Sequence, residues 1–281
     1  MSCLESLPPL REVIARHELA ARKSLGQNFL LDLNLTGRIA RSAGPLGEGT
    51  IIEIGPGPGG LTRALLGAGA AHVIAVEKDH RCLKALEEIQ AVSDGRLEVL
   101  AGDALEIPTS ELGRPPRRIV ANLPYNVATP LLISWLRAIA RESGSLDRLI
   151  LMFQKEVAQR ITASPHSKPY GRLAVLAQWL CEAESLFDIA PTAFTPPPKV
   201  TSSLVRLIPR SHPLSPCPVE ALEKVTAAAF GQRRKMLRQS LKSVFAKPTD
   251  ILQELDLAET ARAEELAIED FCALARRFAE N

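Results

Sequence analysis

From Thr50 onward, short apolar runs alternate with stretches whose apolar positions recur every three or four residues. Runs at 51–54, 72–77, 97–100, 118–121 and 149–153 are rich in Ile, Val and Leu and predict strands. Residues 61–66 and 81–90 predict helices between them, and 156–161 a short helical piece. Ahead of this alternation, residues 10–41 carry helical spacing broken at Gly26. Strands alternating with helices imply an α/β fold with a parallel, doubly wound sheet. Such sheets hold ligands at the carboxyl ends of their strands. The glycine turn, Glu77, Asp103 and the Asn122 motif described below fall at such ends.

Prolines then change the picture. They cluster at 191, 196, 197 and 198, and again at 209, 213, 216 and 218. The second cluster reads as a linker, and helical patterning dominates beyond it. These features divide the chain near Arg210 into a large domain, 1–210, and a small one, 211–281. A length of 281 residues suits that division. No internal repeat is visible.

Composition is that of a globular protein, with 46% hydrophobic and 23% charged residues. Aromatic residues make up only 4%, so each ring inside a motif is informative. A net charge of +2 says little about partners, but its distribution says more. Seven basic residues and no acidic one lie between Lys224 and Lys247, whereas nine acidic residues face three arginines from Asp250 to Asn281. The five cysteines, at 3, 82, 181, 217 and 272, form no C-x-x-C pair, which argues against a zinc site or a disulfide framework. His17, His72, His80, His166 and His212 show no metal-ligand spacing, so no metal is expected. Glu5, Arg11, Glu12 and Arg16 interrupt any apolar leader, and no apolar run is long enough to span a bilayer. A cytoplasmic protein with reduced thiols and no membrane association is expected.

Candidate chemistry begins at Gly55, Gly57 and Gly60. Their G-x-G-x-x-G spacing follows a strand and opens a helix, which suits a nicotinamide dinucleotide fold as well as a methyltransferase. Pro56 and Pro58 count against a pyrophosphate cradle, because proline has no N–H to offer a phosphate. A rigid turn against a nucleoside and an amino-acid moiety fits better, with a ligand-free tight turn as the bland alternative. Glu77 ends the second strand, where a carboxylate accepts both hydroxyls of an unphosphorylated ribose. Asp103 follows the third strand and suits an adenine amine, or equally a helix N-cap.

Asn122-Leu123-Pro124-Tyr125 follows the fourth strand. It sets a side-chain amide and an aromatic ring around a prolyl turn. The amide oxygen and a backbone carbonyl can accept the two hydrogens of an exocyclic amine, and the ring can stack on a flat base. Phe194, in a proline-stiffened loop running to Val200, offers a second ring, unless it packs into the core. The segment from Phe230 to Phe245 has helical period. Phe230, Leu237, Leu241 and Val244 fall on one face, with Arg234, Lys235, Arg238 and Lys242 on the adjoining one. A basic stripe of this kind suits a phosphate backbone, or is simply a solvated face.

Together these runs resemble the KsgA family of small-subunit (16S) ribosomal RNA adenine dimethyltransferases. The matching runs are Lys23-Ser24-Leu25-Gly26-Gln27-Asn28-Phe29-Leu30, residues 53–62, Glu77, Gly102-Asp103, residues 122–125 and 194–200, and Phe230 through Arg238. They follow the family's order over nearly the whole chain. Gln239 departs from the family, which often has Asn there, and the extension before Lys23 is longer than in the shortest members.

The resemblance implies a Rossmann-like, seven-stranded methyltransferase sheet with an N-terminal helical extension and a small helical C-terminal RNA-binding domain. It implies S-adenosylmethionine at Asn28, Leu30, Gly55, Gly57, Glu77, Asp103 and Asn122. It implies catalysis by Asn122, Leu123, Tyr125 and Phe194, and RNA contacts from Arg233, Arg234, Lys235, Arg238 and Lys242. The implied reaction is dimethylation of two adjacent adenosines near the 3′-end hairpin of 16S rRNA, with a role in small-subunit biogenesis. The implied partner is 16S rRNA in a small-subunit assembly intermediate, met by a monomer. Two alternatives stay open: a large-subunit (23S) rRNA dimethyltransferase, and an assembly factor acting mainly by binding. A DNA adenine methyltransferase fits less well, because Leu123 stands where those enzymes usually carry a second proline.

Overall fold

The structure, a computed structural model, describes residues 3–22 and 25–280. Lys23 and Ser24, which open the first matching run, lie outside the described residues, as does the side chain of Cys3. The chain forms two compact units, Met1–Lys155 with Ser185–Ile208, and Glu156–Glu184 with Pro209–Asn281.

In the first unit the helices are α1 (Leu10–Arg16), α2 (Leu33–Ser42), α3 (Gly60–Gly67), α4 (His80–Ala91) and α5 (Tyr125–Arg141). The strands are β1 (Phe29–Leu30), β2 (Thr50–Ile54), β3 (Val73–Glu77), β4 (Leu97–Ala101), β5 (Arg117–Ala121), β6 (Arg148–Gln154), β7 (Cys181–Ile189), β8 (Phe194–Thr195) and β9 (Ser202–Pro209), with the first four residues of β7 and the last of β9 assigned to the second unit. Seven of the strands form one sheet in the order β4-β3-β2-β5-β6-β9-β7, and β1 pairs with β8 in a separate two-stranded ribbon. The stretch from β4 to β6 is parallel, with Ile52 in register with both Ile74 and Ile119. β9 then runs antiparallel to β6. Every residue of β2 and β3 is buried, as expected of parallel strands covered on both faces.

Local sequence sets the helix starts on which the site depends. Asp32 caps α2 by accepting from the amides of Asn34 and Leu35, and Asp79 caps α4 through the Arg81 amide. Gly59 precedes α3 at φ +87°, and a Cβ there would lie 2.1 Å from Ile89 Cδ1, so only glycine lets α3 start against α4. Ile39, Ile51, Leu65, Val73, Leu86, Ile89, Val120 and Ile150 belong to one buried cluster that fills the space between sheet and helices.

Three expectations need correction. Residues 10–41 are not one helix with a single break. Among the described residues, α-helix ends at Arg16 and resumes at Leu33; Glu18 and Gly26 take positive φ, and Phe29-Leu30 pairs with Phe194-Thr195. The chain also does not divide once near Arg210, because residues 156–184 belong with the C-terminal unit. An aromatic seam holds them there. The Tyr170 ring meets Phe230 edge-on at 5.8 Å, Phe230 lies 5.4 Å from Phe271, and Tyr170 donates its hydroxyl to Leu266 O. Trp179 adds a bond from its indole N–H to Ser215 O at 2.7 Å.

The second unit contains α7 (Arg172–Leu180), α8 (Val219–Gly231), α9 (Leu237–Ser240), α10 (Pro248–Glu254) and α11 (Ile268–Glu280), with α6 (Lys155–Ile161) starting at the unit boundary. The third correction lies here: 230–245 is not a continuous helix. Helix α8 stops at Gly231, and after a turn come only the four residues of α9 and a 3-10 turn at Leu241–Ser243. The intervening backbone bonds elsewhere. Met236 bridges Arg262, and the Leu237 amide donates to Ala261 O at 2.8 Å. The expected stripe is therefore spread over a turn and two short helical pieces.

Candidate active site

A cavity opens at the carboxyl ends of β2, β3, β4 and β5, where the sheet topology puts ligands. Its walls include Asn28, Leu30, Gly55, Gly57, Glu77, Asp103, Asn122, Leu123 and Tyr125. The first unit thus brings together nine positions singled out from sequence. Phe194 is not among them.

The glycine turn forms the floor. Gly55, Gly57 and Gly59 all have positive φ, and a Cβ on Gly57 would come within 3.1 Å of the Phe29 ring. The Gly57 amide donates to Glu77 Oε2 at 2.9 Å, and the Asp79 amide donates to Glu77 Oε1 at 2.7 Å. The carboxylate is 5% exposed and is held by two backbone N–H groups, with a lone pair left on each oxygen. Burial raises its pKa, and the amides of Asp79 and Gly57 act against that rise.

Glu53, at the end of β2, also lines the cavity. It is 1% exposed, and its Oε2 has no hydrogen-bond partner among the described residues. Burial pushes its pKa up to about 8; the nearby Thr62 hydroxyl and amide oppose the rise and the charge on Glu77 adds to it. Sequence reading gave no separate role to this acid, although a carboxylate two residues before the first glycine is visible in the chain.

Asp103 is held from two sides. Oδ2 accepts from Lys78 Nζ at 2.7 Å, and Oδ1 accepts from the Leu105 amide at 3.0 Å. The capping alternative is therefore realised, though in a turn, not at a helix start. The lysine contact holds the Asp103 pKa below its ordinary value.

The facing wall comes from β5 and the start of α5. Asn122 donates Nδ2 to the backbone carbonyl of Asn28 at 3.0 Å. A carbonyl can only accept, so this bond orients the amide and leaves Oδ1 as its acceptor on the cavity wall. Leu123 is buried, and Tyr125 opens α5 with its hydroxyl 2.6 Å from Ser202 Oγ. A second network, missed from sequence, steadies the lip. Gln27 Nε2 donates to Asp79 Oδ2, and Arg81 grips the same carboxylate with Nε and Nη2. The Arg81 contact holds the Asp79 carboxyl down at about 2.

Phe194 is a correction. It is 3% exposed and packs in the core cluster with Leu30, Val120 and Met152. Pairing of Leu30 with Phe194 across β1 and β8 carries the ring inward, so the core alternative describes its place.

In the second unit, Arg234, Lys235, Arg238 and Lys242 are exposed. Arg233 is committed to the fold, donating to Glu264 Oε2 at 2.6 Å and to Ser167 O.

Comparison with known proteins decides the family. A sequence profile described as ribosomal RNA adenine dimethylase matches residues 18–280. The chain belongs to the ribosomal RNA adenine dimethylase family. Within that family it is similar to ribosomal RNA small subunit methyltransferase A of Rhodospirillum rubrum, with 62% identity over 97% of this chain and 93% of that protein. The corresponding protein of Xanthobacter autotrophicus is 61% identical over the full chain and 97% of its own length. Among solved structures, a dimethyladenosine transferase from Plasmodium falciparum superposes with a TM-score of 0.76 at 25% identity, covering 90% of this chain and 98% of that one. The 23S rRNA methyltransferase ErmE superposes at 0.66 with 26% identity, over 90% and 100%. This dimethylase is therefore an rRNA methyltransferase on a Rossmann-like sheet, with S-adenosylmethionine as methyl donor.

The cavity residues fit that donor. Prolines at 56 and 58 leave the glycine turn short of phosphate-binding amides, while Glu77 offers oxygen lone pairs to a diol. Glu53, at the edge of the cavity, keeps an oxygen without a hydrogen-bond partner among the described residues. No group of three or more metal-ligating side chains occurs among the described residues.

Proposed function

We propose that this chain dimethylates N6 of two adjacent adenosines near the 3′ end of 16S rRNA, in an assembling small subunit in the cytoplasm, and that it acts as a monomer. The observation that carries the substrate is the 62% identity, over nearly full length, with a small-subunit methyltransferase A, against 26% with ErmE. No described helix is long and apolar enough to cross a membrane.

Bound S-adenosylmethionine supplies an electrophilic methyl group on a sulfonium. Asn28, Leu30, Gly55, Gly57, Glu77 and Asp103 hold this donor, with Glu77 taking the ribose hydroxyls and Asp103 the adenine amine. The remaining work falls on the facing wall. The N6 lone pair of the target adenine is delocalised into its ring and is a poor nucleophile. Asn122 Oδ1 and a backbone carbonyl of the Asn122–Tyr125 turn accept the two N6 hydrogens, which favours a pyramidal nitrogen with a localised lone pair. This is preorganised electrostatic stabilisation, and no protein base need act first, because methyl transfer makes N6 acidic and its proton is then lost to solvent. Tyr125 stacks on the splayed base, a contact worth about 1–3 kcal/mol. Holding the acceptor nitrogen beside the bound donor would supply much of the remaining acceleration.

The second unit serves the phosphate backbone through Arg234, Lys235, Arg238 and Lys242. Arg233 supports that surface from within, through Glu264.

The deciding experiment is transfer of tritiated methyl groups to unmethylated small subunits, free 16S RNA and large subunits. Label confined to small-subunit material is the expected result. Label in the large subunit alone would overturn the substrate assignment.

A further inference from the structure

Tyr125 is held at two ends. Its backbone opens α5 directly after β5, and its hydroxyl sits 2.6 Å from Ser202 Oγ at the first residue of β9. Strand order places β6 between those two strands, with Gln154, at the carboxyl end of β6, in register with Ser202. The ring thus spans the end of β6, on the side of the sheet where the cavity opens.

The Ser202 anchor is itself fixed. Ser202 is wholly buried. On one side the Thr201 carbonyl accepts from the Lys155 amide at 2.9 Å. On the other, Ser203 Oγ donates to Asp188 Oδ1 at 2.6 Å, and Asp188 Oδ2 takes Lys155 Nζ at 2.6 Å. Both neighbours of Ser202 are therefore locked to the end of β6, and the serine hydroxyl offers a rigid point of attachment.

We propose that Ser202 is a positioning residue for the methylation step: its hydroxyl anchors the Tyr125 hydroxyl and so sets the pitch of the ring against which the target adenine lies. This rests on the reading of Tyr125 as the stacking wall. A partly exposed tyrosine without such a tether populates several rotamers, and each encounter with a base must then select one. With the tether, that ordering is complete before RNA arrives. Partial burial also raises the pKa of the Tyr125 hydroxyl, with Ser202 opposing the rise. The phenol thus stays neutral across the physiological range and the anchor does not loosen with pH.

The test is a double-mutant cycle of Ser202→Ala and Tyr125→Phe on the full chain, with single-turnover methylation, S-adenosylmethionine affinity and unfolding midpoint measured for each variant. Loss of one net hydrogen bond predicts that each single variant methylates roughly 3- to 10-fold more slowly at saturating RNA. The double variant should show no further loss, because both changes remove the same contact. Cofactor affinity should be unchanged in all three. Wild-type rates in both single variants would overturn the proposal, and so would losses that multiply in the double variant. Tyr125→Phe keeps the test decisive should Ser202→Ala fail to fold. Tyr125→Ala separates the two levels of the argument. Full activity there would remove the stacking wall itself. A strong loss there, with wild-type rates for Ser202→Ala and Tyr125→Phe, would remove only the role of the anchor.

Discussion

Asn122 Nδ2 donates to the backbone carbonyl of Asn28 across 3.0 Å, joining the end of β5 to the lip ahead of β1. The bond decides which end of the amide faces the cavity. With Nδ2 given to the Asn28 carbonyl, it is the amide oxygen that faces the cavity, as the proposed role of accepting from an amine requires.

Asn122→Ala is expected to lower turnover by on the order of 100-fold or more, as for the loss of one preorganised hydrogen-bonding group. S-adenosylmethionine affinity should fall far less. Asn122→Asp, which cannot donate to Asn28, should also be poorly active. Single-turnover rates beside calorimetric cofactor binding check both, and equal turnover in Asn122→Ala would remove its catalytic role.

Phe194→Ala is now expected to act on stability first. Removing a ring this deeply buried should cost about 3–5 kcal/mol, measurable by urea denaturation. Any loss of methylation should follow the unfolding. A variant of native stability with low activity would return Phe194 to the site.

Glu53 predicts a particular pH dependence. Its folded pKa, about 8, lies above the model-peptide value of 4.5, so the folded state holds a proton that the unfolded state releases. Its favourable contribution is complete below about 4.5 and is lost as pH rises through about 8, a decline of about 3–5 kcal/mol across that window. Glu53→Gln is neutral at every pH and should flatten the decline while raising the unfolding midpoint at pH 8. Parallel stability curves for the two proteins would exclude this.

Neutralising Arg234, Arg238 and Lys242 together should reduce the salt-dependence slope of RNA binding by about 2, at roughly 0.7 per single-strand phosphate contact. Replacing Arg233 alone should instead destabilise the second unit, because its guanidinium belongs to Glu264. An unchanged slope in the triple variant would take that surface off the RNA.

Much of this was legible in the chain because it is local. β2 to β5 are short, mostly apolar runs ended by Gly55, Glu77, Gly102 and Asn122, and ligands of parallel sheets sit at the carboxyl ends of the strands. The failures were non-local. Nothing near Phe29 announces that it pairs with Thr195, so its apolar spacing reads as helix. The same pairing turns Phe194 inward, although its proline-rich loop suggests an exposed ring. The basic segment after Phe230 keeps a helical period, yet backbone bonds to residues 259–262 break the helix. Residues 156–184 join the second unit through Tyr170 and Trp179, whose partners lie far along the chain.

The ribbon of β1 and β8 has a consequence for synthesis. Phe29 and Leu30 emerge early from the ribosome, but their partners Phe194 and Thr195 are translated long afterwards. Asn28, which orients the amide of Asn122, directly precedes that ribbon. A nascent chain stopped before residue 194 therefore has its glycine turn and Glu77 but lacks the strand that pairs with the residues next to Asn28. Phe29 and Leu30 cannot take up their strand pairing until the large unit is almost completely translated.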